Sequence, residues 1–182
     1  MPLPSRLTIP TRAGDPGEID YSGTAGDDFD ALSRDRIPVR SLHEDDLAAL
    51  VAIDSKATRR NRSAYYARKL DEVMQESGVR VSLVAERDGR PVGFIMARVD
   101  FGEFGCAEPE AVIDTIGVDP DYRRHHVGSA LMSQLMANLR TLQVDRVRTE
   151  VNWNDLSLLA YLDRAGFTPA QRIVLHRRVK PR

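Results

Sequence analysis

A short basic turn followed by a glycine has the residue types that bind a phosphate group. Arg123 and Arg124 stand just before a run, beginning at Val127, in which apolar residues recur every three or four positions. That spacing predicts an amphipathic helix, whose first amides lack internal acceptors and carry the positive end of the helix dipole. Gly128 and Ser129 have little bulk where an anion would approach. The pattern therefore indicates a pyrophosphate site.

The segment before this turn predicts a buried strand that delivers the chain to the phosphate site. Ala111–Val118 is apolar on both faces except at Asp114 and Thr115, which is typical of a central strand. Asp119 and Pro120 then mark a turn. A buried strand, a turn, two arginines, a glycine and a helix thus follow one another without a gap.

This succession resembles the acyl-CoA-binding motif of the GNAT superfamily of N-acyltransferases, in which the pattern is Gln/Arg-x-x-Gly-x-Gly/Ala. Arg123 takes the first position and Gly128 the last, whereas His126 stands where the first glycine is usual. The resemblance implies that acetyl-CoA is the co-substrate. It also implies that one loop contacts it: Arg123, Arg124, His125, His126, Val127, Gly128 and Ser129.

A second stretch, Glu150–Phe167 (EVNWNDLSLLAYLDRAGF), is similar to another signature of the superfamily, in which a strand ends in an Asn-containing turn and a helix closes with Gly-Phe. The resemblance covers Ile37 to about Val179. It implies an α/β (α+β) fold with a central, mixed, twisted sheet splayed into a V. The expected order is β-α-α-β-β-β-α-β-α-β, with acyl-CoA in the cleft.

The chain is expected to divide into an irregular N-terminal arm, residues 1–36, and one acetyltransferase domain, residues 37–182. The first 35 residues contain four prolines and four glycines and show no sustained apolar period. The arm is either a dispensable tail or a segment that lies on the body or on a neighbouring subunit.

Periodicity predicts the first elements of the domain. Ile37–Leu42 is a strand, and Ser41 with Glu44 forms a capping box for a helix. A second helix places four apolar side chains on one face and ends at Gly78. Its apolar face comprises Tyr66, Leu70, Val73 and Met74.

The later elements are predicted by alternation and turn residues. Val79–Glu86 and Pro91–Phe101 are strands joined by a hairpin at Asp88-Gly89. Arg146–Trp153 alternates as a strand, and a short helix follows that stops at Gly166. Phe167–Val179 forms the last one or two strands.

The resemblance implies roles for backbone groups and for a general base. The amides of Ile116, Gly117 and Val118 would pair with the pantetheine arm and polarise the thioester carbonyl. Glu150 matches the glutamate of a Leu-Glu-Val strand in ribosomal-protein alanine acetyltransferases, although an ion pair with Arg148 is its structural alternative. Asp114 is a second candidate base, or else an acceptor for loop amides.

The sequence leaves the identity of the general acid undecided. The family's usual tyrosine falls on Leu162, with Tyr161 one residue earlier and roughly 100° away around the helix. The usual asparagine falls on Asp155, with Asn154 one residue earlier. Either the helix is offset by one residue, so that Tyr161 and Asn154 serve, or no tyrosine acid exists.

A basic cluster precedes the second helix. Arg59, Arg60 and Arg62, with Tyr66 close behind, lie where the family's acceptor site is bordered. They fit an acceptor with negative charge near its amine. The alternative is a solvated basic face.

Size and composition limit the remaining classes. With 182 residues, a net charge of −1 and a single cysteine, Cys106, the chain fits one cytoplasmic domain and gives no sign of nucleic-acid binding. No apolar run is long enough for a membrane span. No metal site is expected, because His125 and His126 point apart. The resemblance implies an enzyme that acetylates a primary amine without a metal, and the family is often dimeric, so a homodimer is the expected assembly. The alternative is a non-catalytic acyl-CoA-binding sensor or interaction module.

Overall fold

The structure, a computed structural model, describes residues 36–75, 81–101, 108–171 and 174–178. These residues form five strands and four helices. The strands are β1 (Val39–Ser41), β2 (Leu83–Arg87), β3 (Arg90–Phe101), β4 (Pro109–Val118) and β5 (Arg146–Thr149). The helices are α1 (Leu47–Thr58), α2 (Ser63–Gln75), α3 (Val127–Thr141) and α4 (Leu156–Arg164). The predicted arm lies outside the described residues except for Arg36, and so does Gly78, the predicted end of α2.

The strands lie in the order β1-β2-β3-β4-β5. The first three pairings are antiparallel, whereas β4 and β5 are parallel. A parallel pair needs a crossover, and α3 supplies it. At the β2–β3 hairpin, Asp88 and Gly89 have φ angles of 51° and 70°. Positive φ at both central residues is the type I′ geometry that the predicted Asp-Gly hairpin requires.

Each face of the sheet is covered by a separate layer of helices. One apolar cluster includes the buried face of α3 and Leu162 of α4. The other includes Leu50 and Ile53 of α1 with Tyr66 and Leu70 of α2, and the last two belong to the apolar face predicted for the second helix. The buried face of α3 consists of Val127, Ala130, Leu131, Met132, Leu135 and Leu139.

Gly93 allows α3 to lie close to β3 at the start of the helix. A Cβ atom at this position would come within 2.6 Å of Cγ1 of Val127. The first turn of α3 is therefore held against the sheet beside the end of β4, because Gly93 pairs with Val118. This contact fixes the end of the loop between β4 and α3, residues 119–126, which is called the phosphate loop below.

A β-bulge in β4 opens the sheet. Ala97 pairs with Ile113 and Met96 with Thr115, so Asp114 has no opposite residue on β3. The pairing of β4 with β5 ends at the same place, at Ile113 and Thr149. The rest of β4 continues to Val118 with β3 as its partner. The pairing of β4 with β5 therefore ends at the bulge, which agrees with the V-shaped opening predicted for the sheet.

The predicted strand Arg146–Trp153 is too long. The structure ends β5 at Thr149, and Trp153 lies in a turn with its side chain 86% exposed. Beyond Thr149 the chain no longer pairs with β4, whose bulge lies at Asp114, so no ladder remains to hold this segment extended. An alternating pattern does not by itself keep residues 150–153 in a strand when no neighbouring strand pairs with them.

The predicted final strand is not formed by the described residues 167–171 and 174–178. Val174 and Leu175 are 57% and 88% exposed. Apolar side chains left in water do not offset the entropy cost of fixing an extended backbone.

The predicted capping box of Ser41 and Glu44 is wrong. Ser41 is held in β1, where it pairs with Leu83. A short 3₁₀ turn, Glu44–Asp46, leads into α1 instead. The backbone N–H of His43 donates to the Asp46 carboxylate at 2.8 Å, so Asp46 takes the capping role.

Candidate active site

The loop between β4 and α3 begins with a tight turn at Asp119. Its carboxylate accepts a hydrogen bond from the backbone N–H of Asp121 at 3.0 Å, and Pro120 stands at the first position of a 3₁₀ turn. Two contacts then tie this turn to α1: Nζ of Lys56 lies 2.7 Å from Asp119 Oδ1 and 2.5 Å from Asp121 Oδ2. The sequence reading missed Lys56, because no local pattern links two residues so far apart in the chain.

His126 has the left-handed backbone conformation that explains why a glycine is usual at its position. Its φ angle is 61°, and it is the N-cap of α3. Its carbonyl accepts the first helical hydrogen bond, from Ala130 N–H at 2.9 Å. A side chain in this conformation costs about 1–2 kcal/mol relative to a right-handed one. His126 thus adopts a backbone conformation that a glycine would adopt without strain.

The first turn of α3 is available to an anion. The side chain of the N-cap His126 does not cap the helix. The amides of Val127, Gly128 and Ser129 therefore depend on some other acceptor. Arg123 and Arg124 are exposed beside them, and neither forms an ion pair with another described residue. The first-turn amides, the helix dipole and the two arginines together give this turn the features of the phosphate site that the sequence predicts.

His125 shapes the corner of the loop. Its Nδ1 lies 2.9 Å from the carbonyl oxygen of Arg123, and its ring stands edge-on to Tyr122. In the described part of the chain, no group of three or more His, Cys, Asp or Glu side chains is arranged to hold a metal ion. No helix there combines the length and apolar character that crossing a bilayer requires.

The last part of β4 borders the opening between β4 and β5. Ile116 and Val118 pack against the α3 side of the sheet. Gly117 faces the other side, where a Cβ atom would lie 2.6 Å from Cε1 of Phe94. Since β5 pairs only as far as Ile113, the backbone of this stretch has an edge without a strand from β5. An extended chain such as pantetheine fits such an edge.

Glu150 follows β5 directly and is mostly exposed. Its Oε1 lies 3.6 Å from a guanidinium nitrogen of Arg148, and 69% of its side chain is accessible. The Arg148 guanidinium also contacts Glu110 at 3.0 Å and Asp100 at 3.4 Å. The structural alternative for Glu150, an ion pair with Arg148, is therefore present as a long and solvated contact.

Asp114 is the bulged residue of β4 and is an ion-pair acceptor. Its carboxylate binds the Arg98 guanidinium, and Lys69 Nζ lies 3.6 Å away. Its side chain is 15% exposed. Asp114 is thus a structural acceptor, as the sequence suggested, but its partners are the Arg98 and Lys69 side chains and not loop amides.

The basic cluster separates into two parts. Arg62 binds the buried carboxylate of Asp54 through two nitrogens, with Nε at 2.8 Å, and its guanidinium lies over the rings of Tyr65 and Tyr66. Its charge is therefore neutralised inside the fold. Arg59 and Arg60 are exposed and form no ion pair with another described residue.

Tyr66 is placed in the core and not at a surface. It is 1% exposed and packs edge-on against Phe94, with ring centroids 5.6 Å apart. Burial raises the pKa of its hydroxyl to about 12, although a hydrogen bond with Thr115 opposes the shift. Its predicted substrate contact is not favoured by this position, because Tyr66 fills the space between α2 and the sheet.

Asn154 and Tyr161 are the candidates for the family's asparagine and for the general acid, and they lie in different surroundings. Asn154 is exposed in the turn before α4, one residue ahead of the N-cap Asp155, whose carboxylate accepts from Leu158 N–H at 3.1 Å. Tyr161 lies against the first turn of α3, and its hydroxyl donates to the carbonyl oxygen of Gly128 at 2.8 Å. Leu162, at the family's tyrosine position, is buried.

Comparison with known proteins decides the family. Residues 42–167, which include both sides of the opened sheet and the whole phosphate loop, match the acetyltransferase (GNAT) family. The chain belongs to this family.

Solved structures with the same fold include several acetyltransferases. The ribosomal-protein-S18-alanine N-acetyltransferase from Escherichia coli is 24% identical, with a TM-score of 0.61 over 74% of this chain and 79% of that one. The aminoglycoside 6'-N-acetyltransferase AAC(6')-Ih from Acinetobacter baumannii is 15% identical, with a TM-score of 0.66 over 80% of this chain and 99% of that one. At these identities the likeness shows the GNAT fold alone.

A curated relative is closer in sequence over a shorter stretch. Mycothiol acetyltransferase from Thermobispora bispora is 32% identical over 95 residues, which are 52% of this chain. The match spans about a third of the length of that relative, 32%. The shared stretch therefore supports the family and leaves the acceptor open.

Proposed function

We propose that this chain is an N-acetyltransferase that moves an acetyl group from acetyl-CoA to a primary amine. One arrangement carries the proposal: the open edge of β4 leads directly to the uncapped first turn of α3, with Arg123 and Arg124 beside it. An edge for an extended arm and a cradle for its pyrophosphate are thus joined in the order in which they occur along coenzyme A. Similarity to the GNAT family supports the same reading.

The chain's own groups suit each part of the co-substrate. The amides of Val127, Gly128 and Ser129 and the two arginines would hold the pyrophosphate. The backbone of Ile116, Gly117 and Val118 would pair with the pantetheine arm. A backbone N–H from this stretch would donate to the thioester oxygen as negative charge develops on it.

The transfer is direct attack within a ternary complex. The lone pair of the neutral amine forms the C–N bond, and the C–S bond breaks with its electron pair remaining on sulfur. The amine's proton must go to a base. Glu150 serves best, because it lies at the point where β4 and β5 separate, and its long contact with Arg148 leaves it accessible to a bridging water. Asp114 is the weaker candidate, because Arg98 and Lys69 occupy it.

The acceptor is a primary amine with negative charge near the amino group. Arg59 and Arg60 support this class, since both are exposed where α1 ends and neither is paired with a described residue. The chain would act in the cytoplasm, where acetyl-CoA is available, without nucleic acid or membrane, and a homodimer is the assembly to test first.

Release of the free thiol tests the enzyme reading. Purified protein is mixed with acetyl-CoA and a panel of amines that differ in nearby charge, and thiol formation is followed. Transfer to at least one amine, and a fall of about 10²-fold in Glu150→Gln with unchanged acetyl-CoA binding, would support the proposal. Firm acetyl-CoA binding with no transfer to any amine would favour the alternative, a non-catalytic acyl-CoA sensor.

A second assay tests the acceptor class. The double variant Arg59→Ala/Arg60→Ala should lose selectivity for amines that carry a nearby carboxylate or phosphate, and its rate on neutral amines should be unchanged. Arg87→Ala/Arg90→Ala removes the same two charges from exposed positions at the β2–β3 hairpin and is the matched control. Equal selectivity in the wild type and the double variant would rule out the two arginines as recognition residues.

A further inference from the structure

The hydroxyl of Tyr161 is directed at the first turn of α3. We infer that Tyr161 is a positioning residue that fixes the first turn of α3 through Gly128, and that it is not the proton donor for the departing thiolate. This inference rests on the proposed function. It resolves the choice that the sequence left open between an offset tyrosine acid and no tyrosine acid.

The contact between the two helices is specific. The hydroxyl of Tyr161 donates to the carbonyl oxygen of Gly128 at 2.8 Å. Tyr161 is partly buried and packs against the apolar cluster that contains Val127 and Leu131 of α3. The hydroxyl proton is thus directed at the backbone of the same turn whose amides form the phosphate site.

Gly128 lies directly against the Tyr161 ring. A Cβ atom at this position would lie 3.1 Å from Cε2, 3.4 Å from Cζ and 3.5 Å from the hydroxyl oxygen of Tyr161. An alanine here would require the Tyr161 ring to shift by a few tenths of an ångström, so the ring uses the space that the missing side chain leaves. The sequence by itself indicates only the approach of an anion as a reason for a residue without bulk, and the family pattern allows glycine or alanine at this position.

The helix cannot rotate to offer Tyr161 in the place of Leu162. Leu162 is 5% exposed within the core, so a turn of roughly 100° would bring an apolar side chain into water. The start of α4 is also fixed, because the Asp155 carboxylate accepts from the N–H of Leu158 and from the hydroxyl of Ser157. A one-residue offset of α4 is therefore incompatible with both its core contact and its cap.

Transfer without a tyrosine acid is chemically balanced. The amine nitrogen gains the bond to the acetyl carbon and loses a proton to the base. The sulfur keeps the electron pair of the broken C–S bond and departs as a thiolate, which takes a proton from water afterwards. A thiol with a pKa of about 8.5 leaves readily as its anion, so a positioned donor is not required.

The first experiment separates binding from turnover. Acetyl-CoA affinity is measured by calorimetry, and the rate is measured on the amine that the wild type acetylates fastest, from pH 6 to 10. Tyr161→Phe keeps the ring and removes only the hydroxyl. We expect acetyl-CoA to bind roughly 3–10-fold more weakly, with kcat within about 2-fold and an unchanged pH profile. Ala160→Ser, on an exposed position of the same helix, is the control.

If Tyr161 were the general acid, its substitution would affect turnover and not acetyl-CoA binding. The rate constant kcat would fall by about 10²-fold or more in Tyr161→Phe, the alkaline limb of the pH profile would disappear, and acetyl-CoA affinity would be unchanged. That outcome would overturn the inference.

A double-mutant cycle tests the pair itself. Gly128→Ala should weaken acetyl-CoA binding by about 10-fold in the wild type but by no more than about 2-fold in Tyr161→Ala, where the obstructing ring is gone. Additive effects on an otherwise normal affinity would overturn the inference and leave the proposed function standing. A wild type that does not bind acetyl-CoA would overturn the proposed function, and the cofactor-positioning role with it.

Discussion

Lys56 at the end of α1 lies 2.7 Å from the carboxylate of Asp119 at the start of the phosphate loop. A second contact from the same ammonium group reaches Asp121. The loop proposed to bind the pyrophosphate is thus connected to the last turn of α1, the helix whose C-cap is Arg59.

Replacing Lys56 with alanine should loosen the phosphate loop. We expect acetyl-CoA to bind roughly 2–5-fold more weakly by calorimetry at low salt, and the difference to shrink in 1 M salt, because exposed ion pairs are screened. Lys56→Arg should largely retain affinity. An unchanged affinity in Lys56→Ala at low salt would show that the loop holds its shape without this contact.

The Lys56 contact also has a defined pH dependence. Partial burial raises the pKa of Asp119, but hydrogen bonds from Lys56 and from the Asp121 amide outweigh it, so the pKa lies below its ordinary value. The stabilisation is therefore present above the ordinary pKa of about 3.9 and is lost as the pH falls through the lowered value. The difference in thermal midpoint between wild type and Lys56→Ala should be constant above about pH 5 and should disappear only in more acidic solution. A difference that vanished near neutral pH would point to another group.

The left-handed conformation of His126 gives a prediction for stability. His126→Gly should raise the free energy of unfolding by about 0.5–1 kcal/mol, because glycine adopts this φ angle without strain, partly offset by its greater freedom when unfolded. His126→Val should lower it by about 1–2 kcal/mol, since a β-branched residue is least suited to positive φ. Urea unfolding of both variants checks the order. A glycine variant less stable than the wild type would mean that the imidazole makes contacts worth more than the strain.

Tyr66 should make stability fall in alkaline solution. Its pKa is raised to about 12 by burial, while that of an unfolded tyrosine is about 10. A raised pKa contributes stability that is fully present below pH 10 and is lost as the pH rises towards 12. The loss amounts to about 2–3 kcal/mol over this range, at 1.36 kcal/mol per unit. Urea unfolding at pH 8, 10 and 11 should show this decline in the wild type and a smaller one in Tyr66→Phe. Parallel curves would contradict the assignment.

The two parts of the basic cluster should respond differently to substitution. Arg62→Ala leaves the buried Asp54 carboxylate without its partner, so we expect a loss of about 2 kcal/mol in unfolding free energy, reduced from the value for a fully buried pair because the Arg62 side chain is 42% exposed. Arg59→Ala and Arg60→Ala should each change stability by less than about 0.5 kcal/mol. Urea unfolding of the three variants tests this. Similar losses in all three would show that Arg62 has no special structural role.

The strand, turn and helix around the phosphate site could be predicted from sequence, because each depends on local chemistry. The apolar run of β4, the proline of the turn and the spacing from Val127 to Leu139 are all properties of neighbouring residues. The hairpin at Asp88-Gly89 follows from backbone preferences in the same way.

What could not be predicted depends on contacts between distant residues. The end of β5 at Thr149 depends on a bulge at Asp114 in another strand. The buried place of Tyr66 depends on Phe94, and the close approach to Gly128 depends on Tyr161. An alternating or basic pattern contains no information about such partners, so neither the end of β5 nor the pairing of Arg62 with Asp54 could be predicted.

The central claim is that the β4–α3 loop binds acetyl-CoA, and calorimetric titration tests it most directly. The wild type should bind acetyl-CoA with micromolar affinity, and Arg123→Ala/Arg124→Ala should bind it at least about 10-fold more weakly. Arg68→Ala/Arg140→Ala removes the same charge from exposed positions on α2 and α3 and should bind like the wild type. Absence of binding to the wild type, or equal losses in both double variants, would contradict the account.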